Sequence, residues 1–254
     1  MSTRAAIITG ASSGIGFALA RLLAEEGHAI TMAARRPEKL AAAAQVLRDE
    51  GHDVLDVAGD LGTEEAVAHV VGAHHDSFGR LDVLVNNAGM GRSQAAEDLT
   101  VKAIDLQLAT NLRSVFLFYR QAVPLLRSTG AEHHNALVVN ISSLSGKMGE
   151  KLLGVYSATK HGIVGFTQAM NSELGDAGIK SCALCPGFVD TPMTDFLKEQ
   201  MPAEEMIQVS DIAESVRFLL RTSNGCVVPE IVFTQPTGSL LPSDADARAA
   251  TAVG

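Results

Sequence analysis

A chain of 254 residues with 46% apolar side chains carries enough hydrophobic surface for one large domain, and nothing in its composition divides it in two. Its formal net charge of −9 repels nucleic acid and anionic membrane, and no local basic patch offsets that, so neither is expected as a partner. Three cysteines, Cys182, Cys185 and Cys226, cannot pair completely and match no metal spacing, so reduced, buried thiols are expected and a metal site is not.

The opening "MSTRAAIITG" holds only four consecutive apolar residues, too few for a signal peptide or a spanning helix, and a cytoplasmic location is expected. From there short apolar runs recur: "AAIITG", "AITMAA", "DVLDVA", "LDVLVNNAG", "ALVVNISS", "IKSCALCPG" and "EIVFTQP". Between them lie stretches of helical period: Phe17 to Glu26, Pro37 to Glu50, Thr63 to Phe78, Val101 to Leu126, Tyr156 to Leu174 and Ile212 to Leu220. Continuous apolar strands alternating with helices predict a seven-stranded parallel sheet covered on both faces, a doubly wound α/β domain spanning residues 1–234. The rest, 235–254, loses that rhythm and is expected as a polar, alanine-rich, loosely ordered tail.

After the first strand, "TGASSGIG" places Gly10, Gly14 and Gly16 ahead of a helix. Glycines there permit a sharp turn and close approach to a pyrophosphate, while the helix N-terminus offers free N–H groups and a positive dipole. The spacing is GxxxGxG, not GxGxxG, and no Walker-type phosphate loop occurs. "NNAG" follows the fourth strand, "NISS" the fifth and "CPGFVDTPM" the sixth, all beyond the carboxyl ends of parallel strands, where ligands bind in such sheets. Further on, "VYSATK" puts a phenol, Tyr156, one helical turn ahead of an ammonium, Lys160. A free phenol titrates near ~10, and a neighbouring cation favours its ionised form, so Lys160 is expected to make Tyr156 a usable proton donor and acceptor.

Together TGxxxGxG, NNAG, a serine 13 residues before the tyrosine, YxxxK and the PG-x-V-x-T loop resemble the short-chain dehydrogenase/reductase family over residues 4–233. The resemblance implies that Tyr156 exchanges a proton with the substrate oxygen while hydride passes to or from a nicotinamide. It further implies that Lys160 holds the nicotinamide ribose, that Ser143 donates to the substrate oxygen and that Asn111 is the structural and relay asparagine. Ser12, Ser13 and Ile15 complete the implied glycine turn. Asp60 and Leu61 would contact adenine, Asn87, Ala88 and Gly89 would line the adenosine side, and Pro186, Gly187, Val189 and Thr191 would border the nicotinamide.

About 20 positions past such a turn, an acid selects NAD and an arginine accommodates the extra phosphate of NADP. Here the second strand ends "MAARRPEKL", with Ala34 where NAD-using relatives carry aspartate, then Arg35 and Arg36. Arginine's planar fork suits phosphate, so NADP(H) is expected over NAD(H), with Arg35 as main contact and Arg36 and Ser13 as helpers. Many NADP-using relatives carry a basic residue at the position of Ser13.

The expected substrate is a small ketone or secondary alcohol, walled by Leu153, Phe188, Met193, Phe196 and Met206. A basic stripe of Arg113, Arg120 and Arg127 leaves a carrier-linked 3-oxoacyl substrate as an alternative. A non-catalytic dinucleotide-binding sensor is a second alternative, although such a protein would ordinarily lack the tyrosine or lysine. A serine hydrolase built on Ser143 lacks the GxSxG elbow. The eight histidines are expected at the surface. The resemblance also implies a homo-oligomer, dimer or tetramer, while the absence of the family's VDGG ending departs from its C-terminal pattern.

Overall fold

The structure is a computed structural model, and it describes residues 4–236; of the expected tail, everything after Pro236 lies outside the described residues. Seven strands form one parallel sheet: β1 (Ala5–Thr9), β2 (Ala29–Ala34), β3 (Val54–Ala58), β4 (Val83–Asn86), β5 (Ala136–Ile141), β6 (Ile179–Pro186) and β7 (Glu230–Phe233). Their order is β3-β2-β1-β4-β5-β6-β7, each expected run becoming a strand.

The central strands are apolar throughout because both faces are covered. Along β1, Ala6 and Ile8 face one core and Ile7 the other. The first core is closed by α1 (Gly14–Glu25), α2 (Pro37–Asp49) and α7 (Val209–Leu220), through Leu19, Leu23, Leu40, Leu47, Ile212 and Val216. The second is closed by α3 (Glu64–Phe78), α5 (Ser114–His133) and α6 (Gly154–Leu174), through Val67, Val70, Phe118, Leu126 and Ile163. Cys182 and Cys185 are buried on β6 as expected, whereas Cys226 is only half-buried.

The helix expected from Val101 to Leu126 departs from regular geometry. α4 (Val101–Leu108) passes into α5 through a π-helical turn, Ala109–Arg113, and the helix continues to His133. One extra residue per turn widens the backbone there. Ser114 Oγ donates to Thr110 O at 2.6 Å, and Asn111 points inward, fully buried.

Two histidines correct the expected surface placement: His28 and His74 are buried. Thr31 Oγ1 lies 2.8 Å from His74 Nδ1, and Arg80 O lies 2.8 Å from His74 Nε2. Both ring nitrogens of His74 thus have partners, which makes its burial tolerable. Burial pushes the His74 pKa down to about 4.

At the amino-terminal edge of the sheet, Asp82 is only 2% exposed. Its carboxylate accepts from Arg80 at 2.9 and 2.7 Å, from the Ala5 amide at 2.8 Å and pairs with His133 Nε2 at 3.0 Å. Burial works to raise its pKa, but these donors outweigh it and hold the carboxyl below its usual range. Arg80 also reaches Glu132 at 3.2 Å.

Candidate active site

At the opposite edge the strand order reverses between β1 and β4, and the loops beyond their carboxyl ends diverge around a crevice of about 510 Å³. Its floor is the glycine turn. Gly10 and Gly14 take φ of +64° and +56°, which side chains with a Cβ rarely adopt, and a Cβ on Gly10 would meet Asn87 Nδ2 at 2.8 Å. Gly16 lies beneath the crevice rather than along it, because a Cβ there would sit 2.4 Å from both Asn87 Nδ2 and Gly10 O. It allows helix and loop to pack.

The loop after β4 is tied to this turn by side chains. Thr9 Oγ1 accepts from the amides of Asn87 and Ala88, both at 2.9 Å, and Asn87 Nδ2 donates to Thr9 O at 2.9 Å. Asn111 then clamps the same loop: it accepts from the Met90 amide and donates to Met90 O, both at 2.8 Å, and donates to Thr159 Oγ1 at 3.2 Å. Asn111 does not line the crevice; it fixes a wall of it.

Helix α1 begins at this crevice without a side-chain cap and without an acid in its first turn. By contrast, Thr63 and Thr100 cap α3 and α4 by accepting from the amides of Ala66 and Ala103. The first N–H groups of α1 therefore remain available to an anion.

One wall carries Ser143, Tyr156 and Lys160. Lys160 is 4% exposed, and its ammonium donates to Ile141 O at 2.8 Å while standing 5.5 Å from the centre of the Tyr156 ring. The two side chains meet as the spacing predicts, but the expected lowering of the phenol's pKa is not what the site shows. Burial pushes Tyr156 up to about 12, a hydrogen bond with Ser143 works against that and the Glu150 charge adds to it. Burial also pushes Lys160 down to about 8, weakening the cation expected to act on the phenol.

The opposite end of the crevice is basic. Arg35, Arg36 and Lys39 line it, and none makes an ion pair with a carboxylate among the described residues. Lys39 is absent from the sequence reading; its signal is its place in the first turn of α2, directly after the Arg35–Arg36 strand end. Ser12, Ser13, Ile15, Asp60, Leu61, Ala88, Gly89, Pro186, Gly187, Val189 and Thr191 also line the crevice. Thr191 Cγ2 comes within 3.1 Å of where a Gly14 Cβ would stand, so this loop closes over the glycine turn.

Of the five expected substrate-wall residues only Met193 lines the crevice. Met206 is buried, Phe196 is 59% exposed, Leu153 is the residue before α6, and Phe188 offers its carbonyl to Gln235 Nε2 at 2.8 Å. In the expected basic stripe, Arg120 is engaged by Glu64 at 2.8 Å. No metal-holding cluster occurs among the described residues, and no described helix is long and apolar enough to cross a membrane.

Comparison with known proteins matches residues 4–202 to the short chain dehydrogenase profile. A chain of Streptomyces virginiae whose name assigns it as a ketoacyl reductase of a monensin polyketide synthase is 40% identical over 200 residues, 78% of this chain and 75% of that one. Among solved structures, an actinorhodin polyketide ketoreductase with NADPH aligns with a TM-score of 0.83 at 32% identity, covering 92% of this chain and 96% of that one. A 3-ketoacyl-(acyl-carrier-protein) reductase from Brucella melitensis complexed with NADH aligns at 0.82 with 29% identity, over 91% and 96%.

Proposed function

This chain belongs to the short-chain dehydrogenase/reductase family and is an oxidoreductase acting on keto and CH–OH groups, and from that premise we propose that it is NADP(H)-dependent, with Tyr156 as the proton donor. The observation that carries the reading is the crevice itself, with half-buried Ser143 and Tyr156 beside buried Lys160 at one end and, at the other, three cations that pair with no carboxylate among the described residues.

The residues present suit the dinucleotide. The glycine turn is a cradle that a Cβ would fill, α1 offers uncapped N–H groups for a pyrophosphate, and Arg35, Arg36 and Lys39 suit the additional phosphate of NADP(H). Asp60, Leu61 and Asn87 to Gly89 would hold the adenosine part, and Pro186, Gly187, Val189 and Thr191 the nicotinamide part. The bound nicotinamide supplies or accepts the hydride.

The chain supplies the proton and the orientation. A phenol held protonated is the form that gives a proton to a carbonyl oxygen, so the site is set for reduction. Ser143 donates to the same oxygen as negative charge develops on it, a task that fixed donors perform well. Lys160 is the conduit beside them: pushed down to about 8, it is able to exchange protons near neutral pH, and its contact with Ile141 O keeps its amine at the base of the wall.

The substrate we assign is a small ketone. Because relatives are named for acyl-chain ketones, a carrier-linked 3-oxoacyl group is the second reading, with the exposed Arg113 and Arg127 as its receiving charges. A panel of cyclic ketones and 3-oxoacyl thioesters, followed by nicotinamide absorbance, tests both. Tyr156→Phe is expected to lower turnover by about 10²- to 10⁴-fold with the fold intact. Turnover unchanged in that variant would remove the catalytic reading and leave a dinucleotide-binding protein.

A further inference from the structure

Among the described residues only two that are not glycine take positive φ, His134 at +54° and Leu152 at +65°. His134 ends α5, its amide donating to Gly130 O at 2.8 Å, as a helix terminus allows. Leu152 ends no helix. It is the third residue of a reverse turn closed by the Leu153 amide, which donates to Glu150 O at 3.1 Å, and a positive φ at that place suits glycine or asparagine rather than leucine. The turn is tied to α6 at both ends: the Glu150 amide donates to Ser157 Oγ at 3.3 Å, and the Ser157 amide to Leu153 O at 2.7 Å.

In this conformation Leu152 O accepts from the Gln94 amide at 2.8 Å, joining the loop after β5 to the loop after β4. The β4 loop is thereby held at two points, at Met90 by Asn111 and at Gln94 by Leu152. Between them lies Gly91, which lines the crevice beside the Tyr156 ring: a Cβ on it would stand 3.9 Å from ring atoms Cδ2 and Cε2. We propose that Leu152 is a positioning residue for carbonyl reduction and acts through its backbone: held left-handed, it offers its carbonyl to Gln94 and so fixes the stretch 91–93 beside Tyr156, where the ketone has to fit. The proposal rests on the reading of Tyr156 as proton donor.

Its physical basis is that the two anchors differ. Asn111 is fully buried and holds both the amide and the carbonyl of Met90, whereas the anchor at Gln94 is one main-chain bond to a residue in a costly conformation. A leucine is pressed out of the left-handed region by contact of its Cβ with the following carbonyl oxygen. With both ends of the turn tied to α6, leaving that region turns the Leu152 carbonyl away from Gln94. The Gln94 side chain bonds within its own loop, Nε2 donating to Asp98 O at 3.4 Å, so the tie to Leu152 is a main-chain one. Arg35, Arg36 and Lys39 stand on other elements, so loosening the tie is expected to weaken the fit of the ketone and leave dinucleotide affinity as it is.

The test ranks substitutions in the full chain by backbone preference instead of side-chain chemistry. Leu152→Val keeps an apolar side chain, but its β-branch is poorly tolerated at positive φ. It is expected to speed hydrogen exchange of the Gln94 amide about tenfold and to raise the ketone KM about tenfold, with NADPH affinity unchanged. Leu152→Asn discards the apolar side chain but accepts the left-handed region; as the variant that conserves the backbone, it is expected to stay with the parent in all three readouts. Gln94→Pro, which deletes the donor amide and leaves the turn in place, is expected to raise the ketone KM by the same factor and decides the matter if Leu152→Val does not fold. The reverse ranking, valine like the parent and asparagine impaired, overturns the proposal. So does faster Gln94 exchange in Leu152→Val with the ketone KM unmoved, or an unmoved KM in Gln94→Pro. Exchange is read without turnover, so the tie between the loops and the catalytic reading fail separately.

Discussion

The two edges of the sheet treat charge in opposite ways. At the amino-terminal edge Asp82 is surrounded by Arg80, His133 and the Ala5 amide, and Arg80 is shared with Glu132. Every charge there is answered by the protein. At the carboxyl-terminal edge Arg35, Arg36 and Lys39 converge on a crevice with no carboxylate partner among the described residues, and the first turn of α1 is left uncapped. The first arrangement stabilises the fold and the second leaves donors for a ligand. Solvent-exposed cations need little compensation before binding, whereas a buried carboxylate needs all of its donors at once.

Breaking the amino-terminal edge has the larger expected effect. Asp82→Ala leaves the buried Ala5 amide without its acceptor and removes the carboxylate that Arg80 and His133 share, so unfolding by urea is expected to show a loss of about 3 to 5 kcal/mol. Dinucleotide affinity of the folded fraction is expected to be unchanged. A loss of affinity with stability intact would dissolve the distinction between the edges.

A smaller effect sharpens the same comparison through pH. The unfolded imidazole of His74 takes a proton near 6.5, while the folded one resists until about 4. The unfolded chain therefore binds more protons in that window, and stability present above 6.5 falls as pH drops toward 4. His74→Gln, which retains a side-chain polar group toward Thr31 and the Arg80 carbonyl, is expected to make the stability profile shallower between those values and leave it little changed at neutral pH. A slope identical to that of the parent would show that another group governs acid unfolding.

What is legible in the sequence is what local patterns encode. The apolar runs become β1 to β7, and the helical periods become helices with ends displaced by a few residues. The motif residues, distant in sequence, converge because each follows a parallel strand. What escapes is set by partners distant in the chain. The π turn at Asn111 presents a side chain to Met90 and Thr159, contacts that helical periodicity does not record. His74 reads as polar by its neighbours, yet Thr31 and the Arg80 carbonyl supply both of its hydrogen bonds. The adjacency of Tyr156 and Lys160 is visible in their spacing, but its electrostatic consequence depends on how deeply both are buried.

The most direct test of the open charges is calorimetric titration of the full chain with NADPH and with NADH, repeated on Arg35→Ala. The account predicts at least about a tenfold preference for NADPH, since a hydrogen bond to a charged group contributes about 1.5 to 3 kcal/mol, and a collapse of most of that preference in the variant. Equal affinities for the two dinucleotides in the parent chain would contradict it.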